Sequence, residues 1–215
     1  MNNLVSYWPL LAQGACMTVA SWLVAGIISS IIGMTLGICC AQEIGSSKAI
    51  MVISIYSFIT RGIPAYVQIL IAYFVVPAAT GINISGFTAA TWALGLCSSG
   101  YVIQIVQSGM NAVPKGQWEA CSALGFSILS TIRYIILPQA TSIFLPAFIG
   151  EREQLLKSTS LLAAIGVTEV TRAGMNIISR ELNPLPIYCM IACIYLMFSA
   201  IFNILIVCYQ KKKLE

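Results

Sequence analysis

Four of the chain's charged side chains fall within seven consecutive positions: Glu151, Arg152, Glu153 and Lys157. They stand in "GEREQLLKSTS", residues 150–160, inside an apolar run that begins near Ile135. Such groups can receive a charged solute, form a gate or pair with one another. Thirteen residues separate Pro138 from Glu151, about 20 Å of helix at 1.5 Å per residue. At that depth an ionisable group is costly unless it is paired or faces a watery cavity. Glu153 and Lys157 stand four apart in the favourable order. Glu151 points to nearly the opposite face and shares its side with Ser158, and Arg152 lies about midway, so one face cannot carry them all. Three readings stand: an internal ion-pair network, a substrate path lined by Glu151 that meets a cationic group, and an external gate.

Metal chemistry is not expected. The eight cysteines lie mostly inside apolar segments, and the chain has no histidine and no aspartate. Cys189 and Cys193 share one helix face, but a metal site needs more ligands. The cysteines read as small, polarizable packing residues. No G-x-x-x-x-G-K-[ST] phosphate cradle occurs, so the chain is expected to bind no nucleotide or other cofactor itself.

The elements that position these residues are set by composition. The 215 residues are 59% hydrophobic and 8% charged, against about 25% charged in soluble domains. The solvent that suits such a chain is a lipid bilayer. An all-α polytopic membrane protein follows, one domain over residues 1–215, with five spanning segments: about 13–41, 49–76 (interrupted by "TRGIP"), 87–110, 135 to past 150, and 185–209. The net charge of +4 owes three charges to the tail lysines 211–213, the flank of a membrane helix rather than a nucleic-acid surface. The N-terminus lacks a basic leader region and reads as retained. With the tail inside, Lys48, Lys115, Arg133 and Lys211–Lys213 all fall on the inner side, and Arg172 and Arg180 on the outer. The bias places the N-terminus outside and the C-terminus in the cytoplasm. In the first span Ser29, Gly33 and Gly37 recur every four residues, a spacing that admits a close neighbour, either within the chain or from a second subunit.

Between the third and fourth spans, at about 111–134, lies a polar interruption. Pro114 suits a first helical turn. Trp118, Cys121 and Leu124 recur every third residue as one apolar stripe, Gly125 can end the helix at positive φ, and Ser127 can cap the next. The spacing predicts a short amphipathic helix over 114–125, lying on the membrane or docked in a groove of a cytoplasmic partner.

"EACSALGFSILSTIRYIILP", Glu119–Pro138, resembles the cytoplasmic loop signature (the EAA motif) of bacterial ATP-binding cassette importer permeases: Glu119, Ala120, Gly125, Ile135, Leu137 and Pro138 match, with Cys121 for the second Ala. "RGIPAYVQILIAYF" (61–74), "VPKGQWEA" (113–120) and "LLKSTSLLAAIGVTEV" (155–170) are similar to the polar amino-acid subfamily, which includes histidine, arginine and glutamine permeases of the type I importer fold. The resemblance implies a non-enzymatic permease subunit in the bacterial inner membrane. It would pair with a second permease subunit, the same or a related chain. Beneath them would sit an ATPase dimer carrying ATP and Mg, and an extracytoplasmic solute-binding protein would deliver the substrate. The loop helix, with Pro114, Lys115, Trp118, Glu119, Ala120 and Gly125, would be the ATPase-coupling element. The resemblance breaks in two places. Gly150, Glu151, Arg152 and Glu153 stand where the family commonly has Asn, Glu or Gln, an aromatic and an aliphatic. Gln104 and Gln107 replace a common Glu and Arg. The expected substrate path comprises Glu151, Arg152, Glu153, Lys157, Ser158 and Gln104. Its two acids favour arginine, lysine or histidine, with glutamine as the alternative. An ATP-independent carrier is the competing class, and the chain lacks the internal repeat such carriers often show.

Overall fold

The computed structural model describes residues 7–214, and every regular element among them is helical. The expected retained N-terminus falls largely on residues 1–6, outside the described residues, as do the side chains of Lys212 and Lys213. In chain order the helices are α1 (Trp8–Cys39), α2 (Ser47–Gly62), α3 (Ala65–Leu70), α4 (Val76–Thr80), α5 (Gly86–Asn111), α6 (Lys115–Ala123), α7 (Ile128–Thr131), α8 (Leu137–Ser158), α9 (Val170–Glu181) and α10 (Pro184–Leu214). A 3₁₀ segment, Thr159–Ile165, continues α8. Among the described residues four stretches are long and apolar enough to cross a membrane: Trp8–Cys39, Gly86–Asn111, Ile128–Ile165 and Pro184–Tyr209. The broken pair Ser47–Gly62 and Ala65–Thr80 makes a fifth when taken as one span, in agreement with the five segments expected.

Proline chemistry accounts for the interruptions. Ile63 is extended (φ −90°, ψ 128°) because the ring of Pro64 disfavours the α region in the residue before it. Two wide π turns, Ile71–Val75 and Ile132–Ile136, stand just ahead of Pro77 and Pro138. A proline has no N–H to give and its ring crowds the carbonyl four residues back, so the ladder widens by one residue upstream. Thus Val76 N–H reaches Ile71 O and Leu137 N–H reaches Ile132 O. The carbonyl of Ile135 is met by a side chain, Gln139 Nε2, at 2.8 Å.

The chain forms two compact units. Among the described residues one comprises 7–26, 64–95 and 152–214, and the other 27–63 and 96–151. The first unit has two apolar clusters, one around Ile69, Leu94, Leu155 and Leu162 and one around Leu11, Val170, Ile177 and Ile187. The second is built on Val102, Val106, Met110, Trp118, Ile136 and Phe144. Within it, Gly33 and Gly37 of α1 sit against Val102 and Val106 of α5, so the small-residue spacing serves close packing inside the chain. The polar groups of this packing are satisfied locally. Tyr56 Oη and Ser99 Oγ are 2.6 Å apart, and Ser57 Oγ donates to Gly100 O at 2.9 Å.

Candidate functional site

The loop between α5 and α8 is rigidly punctuated. Pro114 N-caps α6 in an extended conformation. At the other end Phe126 N–H bonds Cys121 O and Gly125 N–H bonds Ser122 O, both at 3.0 Å, with Gly125 at φ 73°. This is a Schellman C-cap. Ser127 Oγ then accepts from Ser130 N–H and starts α7. The expected helix and both of its ends are present.

The expected single stripe is not. Trp118 and Cys121 are buried, whereas Leu124 is 76% exposed. Steps of three residues drift backwards by about 60° each on a helix of 3.6 residues per turn, so Leu124 points about 120° from Trp118. The helix ends there as well, and Leu124 joins a different set. With Phe126, Ile128 and Leu129 it forms an exposed apolar turn. Pro114, Lys115, Glu119, Ala120 and Gly125 are exposed as well. Trp118 is a root that holds α6 down, and the turn beyond it is left bare.

The charged residues of α8 have separate environments. Glu151 is half-buried, and its Oε1 accepts from buried Ser98 Oγ of α5 at 2.7 Å. Arg152 is buried, donates from Nη1 to Gly26 O at 3.0 Å, and its own carbonyl accepts from Trp22 Nε1 at 2.9 Å. Glu153 and Lys157 form the expected i,i+4 ion pair at 2.6 Å. Ser158 Oγ bonds its own helix at Gln154 O, 3.0 Å away. Gln104 is exposed and, with Ser108, Gly109, Ile143, Phe144 and Ala147, lines a cavity of about 330 Å³. Gln104 is thus exposed, Glu151 is half-buried against Ser98, and Arg152 is engaged with α1 backbone. Ser98 was missed from sequence. Its signal was the "CSSG" run, residues 97–100, three small polar or flexible residues in the middle of a spanning segment.

Gln107, the other departure in α5, has a different task. Its Nε2 donates to Cys40 O at 3.0 Å, closing the carbonyl end of α1 as a C-terminal cap does.

Glu169 was also missed. It is fully buried at the N-cap of α9, where its carboxylate accepts from Thr171 N–H (2.7 Å), Arg172 N–H (2.8 Å) and Tyr195 Oη (3.0 Å). Burial pushes its carboxyl above the usual range, against the pull of these donors. Glu169→Ala strands three donors and is expected to cost about 1–3 kcal/mol, read as a lowered thermal midpoint of the detergent-purified protein. Glu169→Gln, which keeps one acceptor, is expected to fall between.

The family described as binding-protein-dependent transport system inner membrane component matches residues 33–214. The glutamine transport system permease protein GlnP of Escherichia coli strain K12 is 35% identical over 201 residues, covering 92% of this chain and 90% of that protein. The arginine transport system permease protein ArtQ of Bacillus subtilis strain 168 is 34% identical over 165 residues, covering 76% and 74%. A crystal structure of an amino acid ABC transporter with histidines superposes with a TM-score of 0.87 at 33% identity, covering 98% of this chain and 97% of that one. The MetNI methionine ABC transporter, at 20% identity and a TM-score of 0.78, shares the fold. With its helices, its punctuated loop and these matches, the chain belongs to the family of binding-protein-dependent transport system inner membrane components.

Proposed function

We propose that the chain is the permease subunit of an ATP-driven importer of polar amino acids, with its ATPase seated on α6 and the turn that follows. The observation that carries this is α6 itself, a short polar helix fixed at both ends and rooted by buried Trp118 and Cys121, with Lys115, Glu119 and Ala120 exposed. A rigid short helix with exposed Lys115 and Glu119 is a surface suited to a protein groove. Glu119 adds a charge-assisted bond to the partner. ATP and Mg reside on the paired ATPase, a second permease subunit completes the path, and a solute-binding protein delivers the substrate. The lysine and arginine bias supports an N-terminus outside and a C-terminus, with α6, in the cytoplasm. Closure of the ATPase pair then moves α6 as a rigid lever.

The reading for the substrate is a basic amino acid met by Glu151, whose carboxylate Ser98 orients. The relatives include glutamine and arginine permeases, and a carboxylate accepts from an amide N–H as well as from a guanidinium, so glutamine is the second reading. Glu151→Gln is expected to lower arginine uptake by about tenfold or more, the loss of a charged acceptor, with glutamine uptake and assembly changed less. Unchanged arginine uptake removes Glu151 from the path. The class is tested by purifying the chain from its native membrane with its partners and measuring ATPase stimulation across the amino acids. A co-purifying ATPase stimulated by a polar amino acid is the expected result. Uptake by the isolated chain without ATP overturns the proposal.

A further inference from the structure

The loop helix is tied to more than the helices that flank it in sequence. Trp118 packs in the same cluster as Ala41 from the α1–α2 connection, along with Met110 and Val113. That connection is held from α5 at two points one helical turn apart: Gln107 Nε2 donates to Cys40 O at 3.0 Å, and Asn111 Oδ1 accepts from Gln42 N–H at 3.0 Å. Glu43 Oε1 lies 3.7 Å from Lys115 Nζ, in the first turn of α6. Gln42, Glu43, Met110, Asn111, Val113, Lys115 and Trp118 line one small cavity of about 20 Å³ where these pieces meet.

The geometry points to a clamp in which Asn111 and Gln107 are positioning residues that fasten residues 40–42 to α5, so that motion of α6 passes into α1 as well as into α8. The physical reason lies in what each link can bear. The Glu43–Lys115 pair is exposed and contributes little by itself. The Trp118 seat is apolar and resists separation, but it has no directional bond to prevent sliding. The bonds from Gln107 and Asn111 supply that direction. One meets a carbonyl and the other an N–H of the same short segment, and a segment held by both cannot shift along α5 without losing one. Where a hinge of this kind slips, ATP is hydrolysed at the seat and the spans do not follow. The inference rests on α6 being the ATPase seat.

The test uses the full complex, reconstituted in proteoliposomes with its ATPase and binding protein, with arginine and glutamine supplied separately. Asn111→Leu is expected to retain the ATPase and its stimulated hydrolysis while uptake per ATP falls by about tenfold, the scale of one lost hydrogen bond. Asn111→Asp keeps an acceptor for Gln42 N–H and is expected to restore uptake per ATP to near the original. A general structural weakness would lower hydrolysis and uptake together and would not be rescued by an acceptor. Should Asn111→Leu not assemble, Gln107→Leu against Gln107→Lys, a donor, reads the other half of the clamp. Unchanged uptake per ATP in the leucine variant, or no rescue by the conservative one, overturns the inference. Failure of the seat itself reads out separately, as a Glu119→Cys protein that cannot be cross-linked to the ATPase.

Discussion

Gly125→Val is expected to leave the chain in the membrane and to cut uptake per ATP by about tenfold or more, the consequence of a left-handed penalty of about 1–2 kcal/mol that grows for a β-branched residue. The penalty is purely conformational. A Cβ on Gly125 meets nothing within 4 Å, so no neighbour is displaced, and the whole effect comes from holding φ at 73°. That φ lets Gly125 N–H and Phe126 N–H turn back onto Ser122 O and Cys121 O. Without it the helix end unwinds or extends, and Leu124 and Phe126 leave their places beside Glu119. The order of variants follows from backbone preference: Asn tolerates the left-handed region and is mildest, Ala is intermediate and Val is worst. Hydrolysis and uptake measured together in proteoliposomes check it, with Glu119→Lys as a companion that reverses a charge on the same surface. A valine variant that couples as well as the asparagine one would show that the turn's conformation is irrelevant to the lever.

Much of this fold is written in local punctuation, which is why it was legible. Pro64 breaks the second span, Pro114 and Gly125 bound α6, and Ser127 restarts the chain. Each acts through its own backbone and needs no knowledge of the fold. The side-chain partners are a different matter. Ser98 and Glu151 are 53 residues apart, and Arg152 and Gly26 are 126 apart, so the charges in "GEREQLLKSTS" could be read as paired or exposed only once the helices were assembled. Glu153–Lys157 is the exception, because four residues along one helix is itself a local distance. Trp118 shows the limit of periodicity. A three-residue repeat names apolar positions but drifts around the helix, so it does not say which position is the root and which is the tip. Gln107 shows the limit of motif comparison. The neutral residue in place of a common arginine reads as a lost charge, whereas in the structure it is a donor to Cys40 O, just past the end of α1.

Gly33→Leu is expected to abolish recovery of folded protein, and Gly33→Ala to lower its thermal midpoint by an amount corresponding to about 1–3 kcal/mol of overpacking. A Cβ at position 33 would overlap Val102 Cβ, come within 2.5 Å of its Cγ1 and stand 3.1 Å from Ser99 O. Neither helix can yield easily. The next turn repeats the contact, with a Cβ on Gly37 2.7 Å from Val106 Cβ and 3.0 Å from Ile103 O. On the far side, Tyr56 and Ser57 of α2 tie the same turn of α5 through Ser99 and Gly100. The nearest atom is the Cβ of Val102, which the backbone fixes, so no change of side-chain rotamer relieves the contact. The partner is therefore identifiable by rescue. Val102→Ala would keep the Cβ that the new methyl overlaps, so the relieving partner is Val102→Gly, which removes both that Cβ and Cγ1. The pair Gly33→Ala, Val102→Gly is expected to be more stable than the sum of the two singles predicts. Thermal unfolding of the four proteins in detergent gives the coupling directly. If Gly33 and Gly37 served contact between subunits instead, Gly33→Ala would change the oligomer without lowering the midpoint of the separated chain, and Val102→Gly would not rescue it.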